Sequence, residues 1–206
     1  HAFILEGARD AHAELEVLGV RAVFHLPADP GAPSPLIELA RRSALVVTED
    51  FPAPPFPRWS QRLAERSGAP VWLVDSACIV PMRLQPRRFE RAFELRRHNQ
   101  AAYAERVARP WPALEAGTTR FDGELPFVPV DLGRAELAAL IADCAIDHSL
   151  PAVPHTPGGS QAGYRRWQQF RREGLPTYHR RRNDAAQPWP LGVSRLSPYL
   201  HHGQAS

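Results

Sequence analysis

Residues 178–206 concentrate the side chains that handle anionic ligands. The segment begins Tyr-His-Arg-Arg-Arg-Asn-Asp at Tyr178 and resumes as Gly-Val-Ser-Arg-Leu-Ser-Pro-Tyr-Leu-His-His-Gly-Gln-Ala-Ser from Gly192. Ser197-Pro198 predicts a helix start, with Ser as N-cap and Pro at the first helical position. Residues 192–196 then form a loop that delivers the chain into a helix N-terminus. Free backbone N–H groups, the positive end of the helix dipole and the hydroxyls of Ser194 and Ser197 suit a phosphate or pyrophosphate there. An ordinary capped helix fits the same residues, and spacing alone does not separate the two.

Charge is distributed unevenly around this segment. The formal charge of the whole chain is +3. Residues 164–206 hold eight Arg against only Glu173 and Asp184. All 25 basic residues are Arg, so their number reflects composition and is not a count of phosphate contacts. The Arg cluster suits phosphate through planar, permanently charged forks, or else makes a solvated face.

Other candidates carry less. Asp50 and Asp75 end apolar segments and could touch a ligand at the carboxyl edge of a sheet, or simply cap the next turn. His201 and His202 are adjacent, about 100° apart on a helix, so they cannot jointly hold one metal ion, and no metal site is expected. At least one of them is expected to be structural. Cys78 and Cys144 lack metal-ligand spacing and are expected to be buried thiols. Most of Trp59, Trp72, Trp111, Trp167 and Trp189 are expected to pack in a core.

The elements that must position these residues follow from periodicity. Ile4, Ala8, Ala11, Leu15 and Leu18 recur at helical spacing before Gly19, which predicts an amphipathic helix over 2–18. Residues 20–26, 44–48 and 71–74 read as short buried strands, separated by helical patterns at 36–42 and 58–67. A β-α-β-α-β order predicts part of a doubly wound parallel α/β domain. Glycine-rich dinucleotide and P-loop signatures are absent. Residues 86–109 read as helix and 110–131, with their prolines and glycines, as linker. Helices are predicted at 134–143 and 161–172, with Tyr164, Trp167 and Phe170 on one side of the second. The expected organisation is therefore a partial α/β domain with a trailing helix at 1–109, a linker at 110–131, and an all-α part from 132 to 206. No apolar run is long enough to span a membrane, and no signal peptide is evident, so a cytoplasmic protein is expected. The chain begins without Met and stops where a helix has barely begun, and so reads as cut at both ends.

The segment Val193-Ser194-Arg195-Leu196-Ser197-Pro198-Tyr199-Leu200-His201-His202-Gly203 resembles the Thr-Ser-Arg-Leu-Ser-Pro-Tyr-Leu-His-Phe-Gly of photolyases and cryptochromes, preceded in both by a Tyr and an Arg-rich turn. Upstream, Phe3-Ile4-Leu5-Glu6-Gly7, Leu45-Val46-Val47-Thr48-Glu49-Asp50-Phe51 and Val74-Asp75-Ser76-Ala77-Cys78-Ile79-Val80-Pro81 are similar to segments of the class II photolyases. The departures are Val193 for Thr, His202 for Phe, Ala53-Pro54-Pro55 where Leu-Arg usually follows, and only a loose echo at 105–111.

This resemblance implies the end of an α/β antenna domain followed by the start of a helical FAD-binding domain. It implies that Tyr178, Val193, Ser194, Arg195, Leu196 and Ser197 contact FAD, the loop chiefly at its phosphates, and that Arg182 contacts the DNA backbone. The implied activity is light-driven repair of cyclobutane pyrimidine dimers by electron transfer from reduced FAD. Its catalytic residues are expected beyond residue 206, so the fragment alone is expected to be inactive. A monomer acting on UV-damaged DNA is implied, with a second antenna chromophore such as a folate or deazaflavin. The alternatives are a cryptochrome-like flavin photoreceptor without repair activity, and an α/β nucleotide-binding domain with an unrelated helical tail.

Overall fold

The computed structural model describes residues 1–27, 29, 31–109, 112 and 120–205. The chain separates into two compact units that do not follow chain order. One gathers His1–Leu26 with Val128–Ser206, and the other is built mainly from Pro27–Leu114.

The second unit contains the α/β part. Strands β1 (Val46–Glu49) and β2 (Val71–Val74) pair in parallel, Val46 opposite Val71 and Glu49 opposite Val74. Helix α2 (Leu36–Arg41) precedes β1, and α3 (Phe56–Ser67) makes the crossover, packing on α2 and β2. Gly68 ends α3 in the left-handed conformation, at φ 70°, which a residue with a Cβ adopts only at a cost. A 3-10 turn (Met82–Leu84) and α4 (Ala92–Ala108) follow. The helix expected from residue 86 therefore starts six residues later, beyond Pro86. Val47 and Trp72 remain exposed on the sheet, as does Trp59 on α3. With Trp167, also exposed, these two tryptophans correct the expectation that most tryptophans pack; Trp111 lies outside the described residues.

The first unit is helical. It comprises α1 (Ala2–Val17), α5 (Leu137–Ala142), α6 (Ser160–Glu173), a 3-10 turn (Leu175–Thr177), α7 (Tyr178–Arg181) and α8 (Ser197–His201). The strand expected at 20–26 is replaced by a single antiparallel bridge, Phe24 to Val130. Arg21 donates to the carbonyls of Phe121 and Gly123, and the Phe24 ring meets His12 edge-on. These contacts hold the segment, with α1, in the helical unit. Arg9 fixes α1 further by donating to the Leu132 and Ala135 carbonyls, at 2.7 and 2.5 Å. Of the expected linker, 110, 111 and 113–119 lie outside the described residues, whereas Arg120 pairs with Glu16 at 2.7 Å. Helix α5 begins at Leu137 rather than 134 because Asp131 caps a turn, accepting from the Gly133 and Arg134 N–H groups.

The core of this unit is Leu132, Ala162, Phe170 and Tyr199, all buried. The inward face of α6 therefore carries Ala162, Gly163 and Phe170, while Tyr164 and Trp167, expected on the side of Phe170, are exposed. Gln204, also buried, joins three elements: its Nε2 donates to the Phe3 carbonyl and its Oε1 accepts from the Gly159 N–H. No described helix is long and apolar enough to cross a membrane.

Candidate functional site

The anion-handling residues of the sequence lie at one end of the helical unit. Helix α6 ends at Gly174, a 3-10 turn follows, and α7 begins with Tyr178, whose ring meets buried Phe170 edge-on at 5.7 Å. A tight turn comes next. Asp184 accepts from the Ala186 N–H at 3.0 Å and from the Gln187 amide at 2.6 Å. The Gln187 side chain first, then the Ala186 amide, hold the Asp184 carboxyl below its usual range. Gly192 then lies close enough that a Cβ there would stand 3.1 Å from Gln187 Cβ and 3.8 Å from the Arg181 carbonyl oxygen. The end of α7 and the start of the 192–196 loop are thus close in space.

Within the loop, Arg195 takes φ 53°, the one non-glycine residue with positive φ among the described residues. Leu196 beside it is right-handed helical, at φ −86° and ψ −12°. Alternation of left- and right-handed residues turns successive amides toward one side, the geometry of a backbone anion nest. Among the described residues, the N–H groups of Val193, Ser194, Arg195 and Ser197 donate to no protein acceptor, and the Leu196 N–H reaches only Ser194 Oγ, at 3.4 Å. Val193 in the loop and Tyr178 at the start of α7 are 46% and 37% exposed.

One expectation shifts by a residue. Ser197 is not the N-cap; Leu196 is, and α8 carries no side-chain capping hydrogen bond. The Ser197 hydroxyl is therefore not spent on the helix. Two further residues escaped the sequence reading. Trp189 Nε1 donates to the Ser194 carbonyl at 3.4 Å, and the Arg166 guanidinium lies over the Trp189 ring at 5.2 Å and the Tyr199 ring at 5.6 Å.

Arg182 closes α7 as its C-cap and is exposed, and its guanidinium has no partner among the described residues. A pair with Asp184 is not formed, since Gln187 and Ala186 occupy that carboxylate. Arg165, Arg171, Arg181 and Arg195 are likewise unpaired among the described residues. His202 tilts against Phe3 at 5.6 Å, and His201 meets His202 edge-on at 4.8 Å.

In the α/β unit, Asp75 caps the turn after β2. It accepts from the N–H groups of Ala77 at 3.1 Å, Cys78 at 2.9 Å and Met82 at 2.9 Å. Desolvation pushes its pKa up, but these donors together outweigh it and the carboxyl is held low. Asp50 accepts from Nε and Nη2 of Arg83, and that pairing lowers its pKa. The pair borders an open cleft of about 510 Å³, lined also by Phe51, Pro57, Leu73 and Met82. Cys78 and Cys144 are partly exposed free thiols rather than buried ones. Desolvation and the neighbouring Asp75 raise the Cys78 pKa.

No protein-family model matches the chain. One curated protein from Methanothermobacter thermautotrophicus is 25% identical to it over 207 aligned residues, which cover all of this chain and 43% of the relative. The relative is a deoxyribodipyrimidine photo-lyase. The chain thus spans less than half the length of the photo-lyase it resembles, with similarity running through both the α/β and the helical parts.

Proposed function

We propose that the chain is part of a class II-type photolyase, comprising the end of its α/β antenna domain and the start of its FAD-binding domain from residue 132. The full-length protein would repair cyclobutane pyrimidine dimers in UV-damaged DNA under light. The observation that carries this reading is the row of unpaired amides at Val193, Ser194, Arg195 and Ser197. Arg195 is left-handed at its centre, within the stretch that resembles the family's flavin cradle. Similarity along the whole of this chain to 43% of a photo-lyase supports the same reading.

The donor set fits a pyrophosphate. Backbone N–H groups carry no charge that must be stripped of water, they are aimed before the ligand arrives, and Ser194 and Ser197 add hydroxyls. Arg195 adds a mobile positive charge. Leu196 and Val193 offer apolar contact, and Tyr178 sets a ring edge beside the cofactor. FAD, when bound and reduced, supplies the electron that opens the dimer. This chain's own task is to hold the cofactor's phosphates and to neutralise the DNA backbone. In the α/β unit, the cleft beside Asp50 and Arg83 is the place for a second antenna chromophore, a folate or a deazaflavin.

The test is the colour of the full-length protein. It is expected to purify with FAD, or to take it up on reconstitution, and to restore irradiated thymine-rich DNA when illuminated. Protein that binds no flavin overturns the reading. Protein that binds FAD yet repairs nothing is instead a photoreceptor. The 206-residue chain alone is expected to bind FAD weakly, because the relative's remaining length would supply the rest of the cavity.

Arg182 gives a second test. An exposed, unpaired guanidinium near the loop suits a DNA phosphate, and a phosphate contact carries no sequence information. Arg182→Ala in the full-length protein is expected to weaken DNA binding by about 1 kcal/mol, equally across flanking sequences, and to reduce the salt slope by about one unit. Flavin content and melting temperature stay unchanged. Titration at several salt concentrations reads the slope, and an unaltered slope removes Arg182 from the interface.

A further inference from the structure

Arg166 projects from α6 between two aromatic rings that flank the candidate loop, Trp189 before it and Tyr199 after it. It is itself anchored, donating to the His155 carbonyl at 2.5 Å. Tyr199 is fully buried, so one wall of this stack cannot move. The other wall, Trp189, spends its indole N–H on the Ser194 carbonyl. That carbonyl belongs to the peptide that enters Arg195, the left-handed residue.

The Ser194–Arg195 peptide is trans, so its C=O and N–H point in opposite directions. Holding the carbonyl toward Trp189 turns the Arg195 N–H away from the indole, and that N–H has no acceptor among the described residues. A left-handed conformation is unfavourable for an L-residue with a Cβ, and it persists where its surroundings impose it. Here the surroundings are the Trp189 hydrogen bond, and behind Trp189 the planar Arg166.

We propose that Arg166 and Trp189 form a clamp that positions the Ser194–Arg195 peptide to donate to the phosphates of a flavin nucleotide. The assignment rests on the flavin reading above and adds to it the residues that set the donor. Both are positioning residues, since Trp189 acts through the Ser194 carbonyl and Arg166 through Trp189. Arg rather than Lys suits the role, because only the planar guanidinium stacks on an indole while keeping an N–H for a carbonyl.

The experiment compares three probes on full-length protein stripped of cofactor: FAD, ADP and riboflavin. Trp189→Phe keeps an aromatic ring, a smaller one, and removes the N–H. It is expected to weaken FAD and ADP binding by about fivefold to tenfold, the worth of one hydrogen bond, and to leave riboflavin, which has no phosphate, unchanged. Arg166→Lys keeps the charge and loses the stack, and is expected to give the same pattern. It therefore serves even if Trp189→Phe fails to fold. Equal losses for all three probes mark a general loss of structure and overturn the clamp. Unaltered affinities in a protein that binds FAD overturn the clamp alone. Wild-type protein that binds none of the probes overturns the flavin reading and the assignment with it.

Discussion

Tyr199→Ala is expected to lower the stability of the protein by about 3–5 kcal/mol, the range for emptying a buried aromatic site. Tyr199 is fully buried. Its ring lies edge-on to Phe3 at 5.1 Å, with Arg166 above it. Gly163 leaves it room, since a Cβ there would stand 2.9 Å from Tyr199 Cδ1. The hydroxyl donates to the Pro157 carbonyl at 2.7 Å. Removing the ring therefore opens a cavity among α1, α6 and α8 and strips one face from Arg166. Tyr199→Phe separates the two contributions. It keeps the ring and costs only the hydrogen bond, about 1–2 kcal/mol, because the Pro157 carbonyl is left without its donor. Urea unfolding followed by circular dichroism measures both. A loss below about 1 kcal/mol for Tyr199→Ala contradicts the packing described here.

Why the sequence revealed some elements and not others is a question of range. Helices α1 and α3 were legible because their patterns are local and each stops at a glycine that adopts positive φ, Gly19 at 75° and Gly68 at 70°. Strands β1 and β2 were legible because short β-branched runs separated by one helix leave few options. Residues 20–26 are likewise largely apolar, yet their fate depends on distant partners. Phe24 pairs with Val130, and Arg21 reaches the carbonyls of Phe121 and Gly123. No local pattern encodes such a choice. The exposed Trp59 and Trp72 make the same point, because burial requires a covering element and the residue type cannot provide it.

At the candidate site, Ser197-Pro198 marked the helix start to within one residue. The left-handed Arg195 was not legible, since no glycine or asparagine advertises positive φ there. Arg166 read as one more charge on an Arg-rich helix. Its place between Trp189 and Tyr199 arises only when α6 and α8 pack together. The residues proposed to touch a ligand are close in sequence and form a motif, whereas Arg166, proposed to help hold that motif, comes from another helix.

Gly174→Ala is expected to cost about 3 kcal/mol, at the upper end for inserting a methyl group into a packed site. The backbone there is unstrained, at φ −93°, so the cost is one of contact. A Cβ would stand 2.1 Å from the Pro190 carbonyl oxygen and 2.5 Å from Phe170 Cδ2. Neither neighbour can yield easily. The first is backbone, and Phe170 is 4% exposed with Tyr178 against its ring. The chain around Pro190 must therefore move, and it carries Trp189 on one side and the 192–196 loop on the other. Gly68→Ala is the matched control, with open space around its Cβ but φ 70°, so it pays only for the left-handed backbone, about 1 kcal/mol. Thermal and urea unfolding of the two variants should rank Gly174→Ala as clearly the more damaging. In the full-length protein it should also lower FAD retention at temperatures where the fold survives, whereas Gly68→Ala should not. The reverse ranking would show that Pro190 and Phe170 have room to give, and would remove Gly174 from the residues that fix the loop.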